Sequence, residues 1–235
     1  MTPHQKQIIW TVLAAFTALC LISMPACHRD DPYVIGFVGG LTGRLSDLGA
    51  SGRNGVIVAV DGVNESGGIN GRKVELMVQN DRQETDGIRR AMEAFIASKA
   101  VAVVGPMTSD MALAAVPLAN AARLVLISPT ASTNKLDDKD DYFLRVNPPD
   151  KTETDHLARH AYEEMGLRRI AVIYDLSNRS FTEGVNRNFK SSFEAYGDAE
   201  TTALSFTSDP QYDFTGLTRR ALEEKADGIL IVAEA

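Results

Sequence analysis

The sequence predicts an α/β protein of two lobes, each an open, doubly wound and mostly parallel sheet, with the second lobe incomplete. Three observations predict it. Strand-like and helix-like segments alternate from Tyr33 to Val232. Several strand-like segments, such as Val101 to Val104 and Leu124 to Ile127, are uninterrupted apolar runs, which suit a parallel sheet covered on both faces. The connections are short, as βα units require.

Tyr33 to Val38 is a β-rich run ending at Gly39-Gly40. A helix is expected from about Ser51 to Asn64, with Val56, Val60 and Val63 on its inward face, stopped by Gly67-Gly68. Lys73 to Val78 reads as the next strand, and Asp86 to Ser98 as a helix burying Ile88, Met92, Phe95 and Ile96. Strand Val101 to Val104, a helix from Asp110 to Ala122 bent at Pro117, and strand Leu124 to Ile127 complete the first set.

Asn147-Pro148-Pro149-Asp150 interrupts the alternation and marks a crossover, giving lobes of 28–148 and 149–235. The second lobe is expected to hold helix His156 to Met165, strand Arg169 to Tyr174, and helix Phe181 to Tyr196 with Val185, Phe189 and Phe193 in register. Strand Thr201 to Phe206, helix Phe214 to Lys225 and strand Gly228 to Val232 follow. No helix follows that last strand before Ala235, so the second lobe reads as partial.

Residues 1–27 are set apart from the fold. A polar start with Lys6, an apolar run from Ile8 to Met24 and Pro25-Ala26-Cys27 before a charged stretch form a secretory signal pattern, with an uncleaved anchor as the competing reading. Cys27 favours cleavage: a Cys after a small residue at the end of such a run resembles the bacterial lipobox, whose thiol is acylated and becomes the mature N-terminus. Met24 stands where Leu is usual. Cys20 lies inside the signal, which leaves no cysteine pair for a disulfide and no thiol cluster for zinc.

The formal charge of −7 is dispersed, without a basic stripe, which argues against nucleic acid as a partner. Gly39-Gly40-Leu41-Thr42-Gly43 does not match a dinucleotide fingerprint, and no nucleophile elbow or phosphate loop is present. His156 and His160 share a helix face but lack the Glu of a zinc protease between them, so they read as surface residues. No catalytic residue, metal or cofactor is expected, and the function class is a binder, not an enzyme.

Ligands of open α/β sheets bind where strands end and helices begin. Those positions are Gly39 to Ser46, Asn80-Asp81, Gly105 to Ser109 and Ser128 to Thr133, and three of the four are rich in Gly, Ser and Thr. Hydroxyls and free N–H groups at helix starts suit an anionic group such as a carboxylate, and equally cap the helix itself.

Ile35-Gly36 through Leu41-Thr42-Gly43, Asn54-Gly55, Gly67-Gly68-Ile69-Asn70-Gly71-Arg72, Val104-Gly105-Pro106-Met107-Thr108-Ser109 and Ile127-Ser128-Pro129-Thr130-Ala131-Ser132, in that order and spacing, resemble the type I periplasmic solute-binding proteins of the leucine/isoleucine/valine-binding family. The resemblance implies a periplasmic or cell-surface receptor that closes two lobes on an amino acid or related small carboxylate or amide, with the membrane anchor at Cys27 implied by the lipobox pattern. It also implies an inner-membrane ABC permease as partner. A sensor of the same fold, coupled to a signalling partner, is the alternative. Matched to the family's motifs, Ser109 binds the ligand carboxylate, Thr130 and Ser132 share the carboxylate and amino group, and Ser46 and Leu48 flank the ligand. Leu48 replaces a frequent aromatic residue. Phe181-Thr182 stand where the family has Tyr-Gly, so Phe181 packs either on the ligand or on the core. The acidic partner of the amino group falls beyond Ala235, with Glu234 the nearest acid.

Overall fold

The computed structural model describes residues 31–43, 46–209 and 211–233. The signal-like segment with Cys20 and Cys27, and Glu234, lie outside the described residues. Among those described, no helix is long and apolar enough to cross a membrane.

Five parallel strands form the first sheet: β1 (Tyr33–Gly39), β2 (Val74–Asn80), β3 (Ala102–Val104), β4 (Val125–Ser128) and β5 (Phe143–Arg145), in spatial order β2-β1-β3-β4-β5. Helices α1 (Ser46–Glu65), α2 (Thr85–Ala97) and α3 (Ser109–Ala122) connect the first four. The second sheet is β6 (Arg169–Asp175), β7 (Glu200–Phe206) and β8 (Gly228–Val232), ordered β7-β6-β8 and again parallel. Helices α4 (Asp150–Arg159), α5 (Arg179–Glu194) and α6 (Phe214–Glu223) accompany it. Both sheets reverse direction of winding at their first strand, which places the carboxyl ends of β1, β3 and β6 at switch points.

The period of two in β1 sorts its side chains. Val34 and Val38 join the core formed with α2 and α3, where Ile88, Met92, Phe95, Val103, Ala112 and Leu126 are buried. Phe37 points to the other face, towards α1. There Gly49 lies so close to the sheet that a Cβ would fall 1.9 Å from the Gly40 carbonyl oxygen. At its far end α1 is tied down by Asn64, whose side chain donates to the Val74 carbonyl and accepts the Val74 N–H, both at 2.8 Å.

Several expectations need correction. α1 starts at Ser46, five residues earlier than expected, and Val56 and Val60 are only half-buried while Val63 is exposed. The helix spans an apolar hollow of about 620 Å³ between its two tethers, so its valines line that hollow instead of filling a core. In α2, Ile96 is exposed and Ala91 takes the inward position, because 100° per residue carries 96 off the face shared by 88, 92 and 95. α3 continues through Pro117 to Ala122 as expected, with Pro117 on its exposed side. β5 has only three residues, too short for a periodic signal. α4 begins at Asp150, six residues before the expected start, because the Pro148-Pro149 pair that breaks the preceding strand pattern also sets up the helix N-terminus.

Candidate functional site

The site forms where the β3–α3 and β4 loops face the N-terminus of α5. After β3, Gly105 adopts φ +111° with the Val38 carbonyl oxygen 2.1 Å from where a Cβ would sit, so only glycine lets the chain turn there. The turn delivers Thr108 and Ser109 to the start of α3. After β4, the Ser128 hydroxyl donates to the Pro106 carbonyl and accepts the Ala131 N–H, which locks the two loops together.

A cavity of about 270 Å³ opens beside these loops, lined by Leu48, Met107, Ser109, Thr130, Ser132, Asn147, Glu153, Asn178 and Phe181. The structure therefore brings together five of the six positions singled out in the sequence. Ser46 sits at the start of α1 and is not among the lining residues. Phe181 lines the cavity and also packs on the second-lobe core.

Hydroxyl polarity is set by the surrounding backbone. Ser109 Oγ accepts from the N–H of Ser132 and the N–H of Thr133, each at 3.3 Å. A hydroxyl has two lone pairs and one proton, so Ser109 has its proton left to give. Thr130 is the reverse, because its Oγ1 donates to the Met107 carbonyl and keeps its lone pairs. The cavity thus carries one hydroxyl that gives and one that takes.

The two lobes meet directly at this point. The Asp110 N–H donates to Asn178 Oδ1 at 3.2 Å, and Asp110 Oδ1 accepts the Ser180 N–H at 3.0 Å. Asp110 so supplies an acceptor to the first turn of α5, whose N-cap residue Asn178 makes no cap bond of its own. Asn188 Nδ2 adds a second link to Asn134 Oδ1 at 2.7 Å.

Two buried aspartates show opposite electrostatics. Asp175, at the end of β6, is desolvated, but donations from the hydroxyls and N–H groups of Ser177 and Ser208 outweigh that and hold its pKa below the ordinary range. Asp150, 1 % exposed at the start of α4, closes no hydrogen bond of normal geometry with either oxygen. Burial pushes its pKa up to about 6, against the pull of Ser132 and Arg145 and with a further push from Glu153.

Asn147, Glu153 and Asn178 are site residues that the sequence reading missed. Asn147 flanks Pro148-Pro149, Glu153 lies in the first turn of α4 and Asn178 precedes α5, and nothing in local pattern distinguishes them from ordinary capping and surface residues. Among the described residues no cluster of His, Cys, Asp or Glu could hold a metal ion. The larger hollow under α1 is lined mostly by apolar side chains, with Ser51 and Thr130 its polar members, and suits a small polar ligand less well.

Residues 32–234 match the family model described as periplasmic binding protein. A Leu/Ile/Val-binding protein of Rhizobium johnstonii, BraC3, is 28 % identical over 216 residues, covering 92 % of this chain and 58 % of the relative. The isoleucine complex of LivJ, a branched-chain amino acid transporter substrate binding protein from Streptococcus pneumoniae, superposes with a TM-score of 0.77 at 26 % identity, covering 86 % of this chain and 57 % of that one. An R. palustris solute binding protein in complex with 4-hydroxybenzoate shares the fold with a TM-score of 0.74 at 20 % identity, covering 86 % and 54 %. The chain spans a little over half the length of the relatives it matches.

Proposed function

The chain belongs to the periplasmic binding protein family, and from that premise we propose that it is an extracytoplasmic receptor binding an amino acid or a related small carboxylate or amide between its lobes. It delivers that ligand to an inner-membrane ABC permease and performs no chemistry on it. The observation that carries the reading is the state of the Ser109 hydroxyl. With both lone pairs taken by Ser132 and Thr133 N–H groups, it offers a proton to the cavity, and a carboxylate offers only acceptors.

The remaining lining supports the same assignment. Thr130 accepts from a donor on the ligand, and Ser132 lies beside Ser109. Leu48, Met107 and Phe181 supply apolar surface for an aliphatic side chain. The ligands named for BraC3 and seen with LivJ are branched-chain amino acids, which combine these features. In this reading the segment before Cys27 is removed and the acylated Cys27 anchors the receptor; metabolic labelling with a fatty acid that fails to mark the protein would remove the anchor from the proposal.

Calorimetry on the full-length protein with amino acids, their amides and small carboxylates tests the binding role. Saturable binding of at least one is expected, and failure of all of them to bind folded protein would overturn it.

A further inference from the structure

Three elements meet at Asp150. Its N–H donates to the Ser132 carbonyl at 2.9 Å, so the start of α4 is fastened to the β4 loop that builds the cavity. Its carboxyl is buried, 1 % exposed, and lies against α5 at Gly184, where an added Cβ would fall 3.0 Å from Oδ2. Neither oxygen closes a hydrogen bond of normal geometry, and the hydroxyl beside the carboxyl is that of Ser132. The charges acting on it are Arg145 of β5, an attraction, and Glu153 of its own helix, a repulsion, while Gly184 of α5 brings none. Arg145 is itself bonded to the Thr133 carbonyl and the Asp137 carboxylate.

Ser132 lines the ligand cavity, so its hydroxyl has the cavity on one side and Asp150 on the other. An ionised carboxylate only accepts; it draws the Ser132 proton and leaves lone pairs facing the ligand. A protonated carboxyl can instead donate to the Ser132 oxygen, and the Ser132 proton then turns into the cavity beside the one Ser109 offers. We propose that Asp150 is a positioning residue of the ligand site, setting the direction of the Ser132 hydroxyl and so whether the cleft offers a carboxylate one donor or two. This rests on the reading of the cavity as a carboxylate site and deepens it. Because coupling is reciprocal, capture of a carboxylate also favours a proton on Asp150.

The test is calorimetry on the full-length protein with L-leucine, L-isoleucine and L-valine, whose carboxyl and amino groups keep their charges across the range used. Wild-type affinity should rise by about tenfold from about pH 8 to about pH 5, the worth of one charge-assisted hydrogen bond. Repeating the titration near the Asp150 pKa of about 6 in buffers of different ionisation enthalpy should show proton uptake on binding. D150N should bind with no uptake and a flat profile. S132A, which leaves the Asp150 carboxyl in place, should flatten the profile to less than about threefold. Uptake that survives in S132A would mean that ligand charge acts on Asp150 directly, and would overturn the role of the hydroxyl. Wild-type binding without pH dependence would overturn the Asp150 assignment and leave the carboxylate site standing. Binding of none of the three by folded protein would remove the amino-acid site and the Asp150 assignment together.

Discussion

The Asp110 carboxylate accepts the backbone N–H of Ser180 at 3.0 Å, so a first-lobe acid at the start of α3 caps α5 of the second lobe. The return bond from the Asp110 N–H to Asn178 makes the link reciprocal, beside the cavity both lobes line. Removing the carboxylate with Asp110→Ala leaves an α5 N–H without its acceptor. A loss of about 1 kcal/mol from this contact between the lobes is expected, the usual cost of a missing cap. Ligand affinity should fall, because closure is then less favourable, and small-angle scattering of unliganded protein should show a larger radius of gyration than wild type. Unchanged affinity and dimensions would show that Asp110 does not hold the lobes.

Ser109 is predicted to act through its proton. Ser109→Ala removes the donor to the ligand and the acceptor of the Ser132 and Thr133 N–H groups. Carboxylate binding should weaken by about 1–3 kcal/mol in calorimetry. Thr130→Val should instead spare a plain carboxylate and weaken a ligand with an amino group, since Thr130 offers only lone pairs to the cavity. If both variants weakened both ligands equally, the donor and acceptor assignment would fail.

Much of this arrangement was legible in the sequence, and the limits are physical. Continuous apolar runs and Gly/Ser/Thr loops announced the parallel sheets and the strand-end site, because burial on both faces and sharp βα turns demand those residues. The valines of α1 misled, since periodicity reports which face is apolar and not whether anything fills the space against it. Glu153 and Asn178 were invisible for a different reason. Their place in the cleft depends on how the crossover at Pro148-Pro149 carries α4 and α5 against the first lobe, a long-range relationship that local spacing does not encode.

Asp150 predicts a pH dependence. Its pKa is raised from 3.8 to about 6 by burial, so the folded state holds a proton more tightly than the unfolded chain. The stability this contributes is fully present below pH 3.8 and is lost as pH rises towards about 6. A shift of this size corresponds to about 3 kcal/mol. Asp150→Asn keeps the shape without the charge. Its stability relative to wild type should increase between those pH values and level off above them, in urea titrations repeated across the range. Comparing the two proteins cancels carboxylates such as Asp175, whose depressed pKa works with the opposite sign. Parallel stability curves for the two proteins would show that the Asp150 carboxyl is not desolvated.

Two glycines of α1 should respond in opposite directions to the same substitution. At Gly49 an added Cβ would fall 1.9 Å from the Gly40 carbonyl oxygen, and both partners are backbone, so the helix must move off the sheet. Gly49→Ala should cost about 1–3 kcal/mol, the range for overpacking a tight contact. At Gly55, two turns on, nothing lies within 4 Å of the added Cβ. Gly55→Ala should therefore show the intrinsic helix preference of alanine and stabilise by about 0.5–1 kcal/mol. Calorimetric melting of the two variants beside wild type checks both signs. A gain at Gly49 would mean that α1 does not approach the sheet as closely as the Gly40 contact requires, and a loss at Gly55 would mean that the hollow beneath the helix is filled.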